Sequence, residues 1–400
     1  MMVSIYLLYL FFTKENRRYK YAIIASIFFG LSFMSKGPVS LYALLLPFLI
    51  AFGLSYKYHS LKKRIVPLIL FLVLDLILSG WWYYYTYLFD PQTVSEITQK
   101  ETGNWNSYNV RPFYYYWSFF TQSGIWTIPA FIGLLYPYLK NRVSDKKAYT
   151  FTFLWTILSV ILLSIIPEKK SRYLLPVLIP LALNTGFYIE YLFNHFKTIR
   201  DKRETIPVYF NFGLIALIGI VFPIGGFLYL GDNLSGNWFW FTLLSIALLG
   251  IGFYMTTMLF KKRIKIVFYC TILFIASIMV LGMPMANTFS NNPEYKSLVE
   301  LHAWQDETQL KVYEYRGFTP EMIWAYGKSI PMIEKNGKVS VPPEDTFAVL
   351  ISEENLKPFK RTFEGYTIEK ITRYDMNPKG KESRSHRPRL WRDLYLVSKP

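Results

Sequence analysis

Three cations and a carboxylate fall within the six residues Pro167-Glu-Lys-Lys-Ser-Arg172, directly ahead of the apolar run Tyr173-Leu-Leu-Pro-Val-Leu-Ile-Pro180. Lys169, Lys170, Arg172 and the Tyr173 hydroxyl form a donor set suited to a phosphate. Charged donors make strong hydrogen bonds to its oxygens, and the free N–H groups at a helix start add to them. Anchoring to lipid headgroups is the simpler use of such residues, but three cations and a tyrosine exceed what anchoring needs. Ser35-Lys-Gly-Pro38 is a second candidate. There Lys36 either snorkels to the interface or meets a phosphate, Gly37 permits close backbone approach, and Pro38 can open a helix. The stretch Asp90 to Pro112 contains Glu96, Glu101, Trp105, Tyr108 and Arg111 and leads into Phe113-Tyr-Tyr-Tyr-Trp117. An interfacial aromatic belt accounts for that density. A substrate loop accounts for it too, with Trp105, Arg111, Tyr114 and Tyr115 against sugar rings or acceptor groups, Glu101 as the candidate acid, and no obvious regular structure across the connection.

These residues sit between segments that must cross a membrane. The chain has 400 residues, 52% of them hydrophobic and 19% aromatic, arranged in repeated apolar runs of spanning length. Lipid accepts such runs as helices whose backbone groups are bonded internally, whereas one soluble core could not bury them all. The expected fold is an all-α polytopic bundle of about ten spans, near 2–12, 20–34, 38–54, 65–86, 113–139, 149–166, 173–193, 207–230, 237–260 and 264–285, with the first partial. It covers residues 1–290, and a small α/β domain follows over 291–400. Strand-like segments in that domain are Leu310 to Tyr315, Thr346 to Ile351, Tyr366 to Tyr374 and Trp391 to Val397; helical ones are Pro320 to Gly327 and Glu353 to Lys360.

Charge supplies a topology. Lys14, Arg17, Arg18 and Lys20 form one cluster, and four further clusters of four lie at 57–64, 140–147, 197–203 and 261–265. Every second connection is therefore cation-rich and expected to be cytoplasmic, which puts the alternate connections and the C-terminal domain outside. Pro167 to Arg172 breaks the pattern, because its cations fall on the outer side. The net charge of +17 is explained by these clusters rather than by a nucleic-acid surface, so no nucleic-acid partner is expected. Membrane lipids are the expected surroundings.

Other chemistries find no support. Cys270 is the single cysteine and lies in an apolar run, so no intrachain disulfide can form. His59, His195, His302 and His386 lack ligand spacing, and no metal site is expected. Walker, dinucleotide and nucleophile-elbow motifs are missing. Asp75 lies mid-span, where a carboxylate is expected to be functional or bonded to a neighbouring helix. The first residues read as the end of a helix rather than a signal peptide.

Gly30-Leu-Ser-Phe-Met-Ser-Lys-Gly-Pro38, the segment Glu101 to Tyr116 ending Arg-Pro-Phe-Tyr-Tyr-Tyr, and Lys170-Ser-Arg-Tyr-Leu-Leu-Pro-Val-Leu-Ile-Pro180 together resemble polytopic glycosyltransferases that use lipid-phosphate sugars. The nearest group is the bacterial aminoarabinose transferases, related to protein O-mannosyltransferases of the type C fold. The resemblance covers roughly residues 1–290. It implies inverting transfer from a polyprenyl-phosphate sugar to a lipid, glycan or protein acceptor at the outer face of the bacterial inner membrane. It also implies that cationic and tyrosine side chains hold the carrier phosphate, a role that maps onto Lys36, Arg172 and Tyr173, with Lys169 and Lys170 as further candidates. Two features depart from the family. Its first outer loop, with the acidic residue that activates the acceptor, has no counterpart here, and Asn109 stands where a histidine is common. Glu101 is the substitute, and the expectation is of a chain that begins after that loop. A non-catalytic accessory subunit or remnant, and a transporter of lipid-linked sugar, stand as the alternatives.

Overall fold

The computed structural model describes residues 1–107, 109–289, 292–317, 319–335 and 337–400; Tyr108 and the side chains of Lys36 and Trp105 lie outside the described residues. The chain forms two compact units, Met1–Val221 with Leu248–Phe274 and Phe222–Ala247 with Ile275–Pro400.

The first unit begins with α1 (Met2–Thr13) and α2 (Arg18–Lys36), then a π turn at Leu41–Leu45 running into α3 (Leu46–Tyr56), then α4 (Ile65–Phe89) and α5 (Pro91–Ser107). The buried Ser4 hydroxyl of α1 donates to the Ala25 carbonyl at 2.8 Å, fastening α1 to α2. Close approach of α2 to α4 is possible because residue 30 is glycine: a Cβ there would stand 2.7 Å from Leu78 Cβ. Four short helical pieces follow: 3-10 turns at Phe113–Tyr116 and Phe119–Trp126, α6 (Thr127–Gly133) and α7 (Tyr136–Leu139). They lead to α8 (Lys146–Ile165), a 3-10 stretch at Ser171–Val177 and α9 (Leu178–His195); α10 (Lys202–Leu230), α11 (Trp238–Phe260) and α12 (Ile264–Gly282) follow, each divided between the two units. An aromatic core of Phe48, Phe52, Phe151 and Trp155 joins α3 to α8. The π turn leaves the Leu44 carbonyl free to accept from the Trp155 indole at 3.1 Å.

Among the described residues, six helices are long and apolar enough to cross a membrane: Leu61–Phe89, Lys146–Ile165, Ser171–His195, Lys202–Leu230, Trp238–Phe260 and Ile264–Ala286. The protein is a multi-pass membrane protein. Four of the ten expected spans take other forms. Met2–Thr13 and Leu41–Tyr56 are shorter apolar helices, and α2 opens on the cations of Arg18-Tyr-Lys20. The stretch 113–139 is broken rather than continuous, with Gly124 at φ +62° and ψ −122° between its halves. That conformation costs a glycine little and interrupts the i to i+4 ladder. The connection 90–112 was expected to be irregular, yet most of it is the helix α5.

In the second unit, α13 (Val299–Thr308), β1 (Val312–Glu314), α14 (Pro320–Tyr326), a small hairpin of β2 (Glu334–Lys335) and β3 (Lys338–Val339), β4 (Thr346–Ile351), α15 (Leu356–Thr362), β5 (Thr367–Asp375) and β6 (Trp391–Ser398) follow in order. The main sheet has the order β1-β4-β6-β5, with β1 parallel to β4 and the other pairs antiparallel. Period-two alternation sends Ala348 and Leu350 to one face, with Leu298, Leu301 and Met322. Phe347, Val349 and Ile351 go to the other, with Phe359 and Phe363. Both faces of β4 are covered, which is why Thr-Phe-Ala-Val-Leu-Ile reads as one unbroken apolar run.

Candidate functional site

The residues around Pro167 are held by a short ribbon. Val110 and Glu168 form an isolated antiparallel bridge. Arg111 N–H donates to the Pro167 carbonyl at 3.2 Å and Lys169 N–H to the Asn109 carbonyl at 3.1 Å. Asn109 adopts φ +52°, in the left-handed region that asparagine tolerates better than most residues. The buried Tyr116 hydroxyl accepts from Lys170 N–H at 2.9 Å and donates to the Lys170 carbonyl at 3.1 Å. Burial pushes that phenol well above its ordinary pKa, which keeps it a donor.

Within this ribbon the three cations have different fates. Lys169 is 4% exposed. Its ammonium donates to the carbonyls of Ile166 at 2.7 Å, Arg111 at 3.0 Å and Pro167 at 3.5 Å, so all its protons are committed to backbone. Burial lowers its pKa. In this structure the Lys169 ammonium staples the ribbon. Lys170 is ion-paired with the buried Glu168 and lies 5.7 Å over the Tyr173 ring. The hydrogen bond to Glu168 raises its pKa despite partial burial. Arg172 is exposed and has no hydrogen-bond or ion-pair partner among the described residues. Tyr173 is half-buried and packs with Val39, Tyr42 and Leu174 on one core cluster. The structure thereby brings the turn after Lys36 against the segment that carries Arg172. That turn has Gly37 at φ +64° and ψ −151°, with its N–H on the Phe33 carbonyl at 2.6 Å.

The remaining predicted residues are more dispersed. Arg111 uses its backbone in the ribbon while its side chain stays exposed, and Tyr114 and Tyr115 are exposed beside it. Glu101 lies on α5, exposed and without a hydrogen bond or ion pair among the described residues. It does not join the ribbon. Asp75 does not make the expected bond to a neighbouring helix among the described residues: its Oδ1 is buried without a partner. The hydrogen bond of that turn runs from Ser79 Oγ to the Asp75 carbonyl at 2.6 Å.

Two groups escaped sequence reasoning. Glu168 anchors Lys170, and its position between Pro167 and two lysines was the available signal. Tyr116 is one of three consecutive tyrosines, and nothing in the run marks which is buried. A cavity of ≈ 490 Å³ lies along α9, lined by Trp126, Leu178, Leu181, Thr185, Phe268 and Ile272 among others. Its lining is largely apolar, and on this segment the first lining residue is Leu178.

No protein-family model matches the chain. An uncharacterized protein from Aquifex aeolicus (strain VF5) is 25% identical over 194 residues, which are 47% of this chain and 36% of that protein. Two crystal structures of ArnT from Cupriavidus metallidurans superpose over 98% of this chain and 72% of theirs, at 12% identity. The TM-score is 0.56 for the form bound to undecaprenyl phosphate and 0.59 for the apo form. The chain has the ArnT fold.

Proposed function

We propose that the chain is a membrane glycosyltransferase of the type C fold, moving a sugar from a polyprenyl-phosphate carrier to a lipid, glycan or protein acceptor with inversion. The observation that carries this reading is Arg172. It is an exposed guanidinium with no hydrogen-bond or ion-pair partner among the described residues, on the segment that runs into the apolar cavity lining of α9, in a chain folded like ArnT. In this reading the carrier phosphate lies on Arg172 with the Tyr173 hydroxyl and the turn at 36–38, and the isoprenoid tail enters the cavity along α9. Lys169 and Lys170 serve by holding the ribbon. The positive-inside pattern supports placing the ribbon and the C-terminal domain outside the bacterial inner membrane.

The acceptor oxygen attacks the anomeric carbon from the face opposite the phosphate. A C–O bond to the acceptor forms as the bond to the phosphate oxygen breaks, a hydroxyl acceptor gives up its proton to solvent, and the carrier leaves as an anion. Arg172 stabilises that developing charge, the electrostatic contribution that is usually largest in such reactions. Glu168 is paired with Lys170 and does not act as the base. Arg172→Ala is expected to slow release of polyprenyl phosphate from a polyprenyl-phosphate-linked sugar by about 10²-fold, the magnitude typical of losing one charge-stabilising donor. The measurement is product release in reconstituted membranes. Unchanged turnover in Arg172→Ala, in protein shown to be folded, would contradict the assignment.

A further inference from the structure

A second cavity lies in the same unit at the end of α7, α9 and the start of α10. Its volume is ≈ 470 Å³, and its wall is mostly apolar with four charged side chains. Ile128, Phe131, Ile132 and Leu135 line it from α6 and the residues just after. The spacing of three and one places Ile128, Phe131 and Ile132 on one face of α6. At the mouth stand Arg142, Asp201, Arg203 and Glu204.

Arg142 and Glu204 are paired with each other, and the Asp201 carboxylate caps the start of α10. Glu204 Oε2 accepts from the hydroxyls of Tyr138 and Tyr191 at 2.9 Å each, and Oε1 accepts from Arg142 at 3.4 Å. The Arg142 guanidinium also lies 4.2 Å over the Tyr138 ring and donates to the Tyr138 carbonyl at 2.8 Å. Asp201 Oδ1 accepts from Arg203 N–H at 2.8 Å at the start of α10. The Arg203 side chain is exposed and has no hydrogen-bond or ion-pair partner among the described residues. The cavity thus offers one free cation above an apolar shaft. Ile206 and Phe210, 60% exposed each, continue the apolar surface along α10.

From this we infer that the cavity binds one anionic glycerophospholipid, with its phosphodiester on Arg203 and an acyl chain on the α6 face. A lipid fits where a soluble anion does not, because the shaft is apolar and opens beside membrane-spanning helices. The free charge selects a net anionic headgroup over a zwitterionic one. The inference stands on the membrane assignment alone and is independent of the glycosyl-transfer reading.

Delipidated full chain in detergent, titrated with dioleoyl phosphatidylglycerol or dioleoyl phosphatidylcholine and resolved by native mass spectrometry, tests it. The expected result is one phosphatidylglycerol bound about fivefold more tightly than phosphatidylcholine, in line with one cation near a headgroup. Arg203→Gln should abolish the preference and Arg203→Lys should keep it. Ile132→Trp, which fills the shaft, should remove the tight site for either lipid. Lys197→Gln, an exposed cation on the neighbouring connection, should change nothing. Equal binding of the two lipids by the unaltered chain overturns the inference. So does a preference that survives both Arg203→Gln and Ile132→Trp in folded protein.

Discussion

Lys169, Lys170 and Arg172 are three cations within four residues, yet one is a staple, one is ion-paired, and Arg172 has no hydrogen-bond or ion-pair partner among the described residues. What separates them is where the carbonyls of Ile166, Pro167 and Arg111 lie, and only the ribbon with residues 109–111 fixes that. Lys169→Met should therefore cost stability rather than carrier affinity. Removing the ammonium strands buried carbonyls, at about 1–3 kcal/mol, and denaturant unfolding of the purified chain should show the loss. A second titratable residue sits in the C-terminal sheet. Glu314 is 1% exposed, and burial pushes its carboxyl up to about 8, although Arg392 at 3.6 Å opposes the shift. The folded state then holds a proton that the unfolded chain releases above its ordinary carboxylate pKa of 4.5. Stability from this group is complete below that value and is lost as pH rises toward 8, with a slope of up to about 1.4 kcal/mol per pH unit. Hydrogen exchange of the β4 amides at pH 5 and pH 8 should show faster opening at pH 8, and Glu314→Gln should remove the difference.

At the scale of elements, the strands of the C-terminal sheet were legible because each is a run of β-branched and aromatic residues closed by turn residues. The expected Thr346 to Ile351 and Trp391 to Val397 coincide with β4 and β6 within a residue. The hairpin of β2 and β3 was not legible, since two residues per strand leave no period to read. The stretch 113–139 misled for the opposite reason: its composition suits a span, while Gly124 breaks it and α6 stops at Gly133. The Gly133 carbonyl is taken by Tyr149 at 2.9 Å and by Asn184 at 2.8 Å, donors that come from α8 and α9 and are invisible locally. The α2–α4 contact is a further tertiary property. Gly30→Val should force α2 away from Leu78 and cost about 1–3 kcal/mol by overpacking, read as a lower midpoint in thermal unfolding of detergent-solubilised protein.

At the scale of the whole molecule, hydrophobic run length and the recurrence of Lys and Arg every second connection were enough to predict a multi-pass membrane protein. The six long spans all fall where the apolar runs predicted them. The cations at 169–172 were legible as a violation of the charge pattern; in the structure Lys169 and Lys170 are taken up by the ribbon, and Arg172 has no hydrogen-bond or ion-pair partner among the described residues. The central claim is that Arg172 holds the phosphate of a polyprenyl carrier. Its most direct test is equilibrium binding of undecaprenyl phosphate to the purified chain, compared with Arg172→Ala and Lys170→Ala. Loss of about tenfold or more in affinity for Arg172→Ala, or about 1.4 kcal/mol, is the predicted result, with a smaller loss for Lys170→Ala through the ribbon. Equal affinity of the unaltered chain and Arg172→Ala would contradict it.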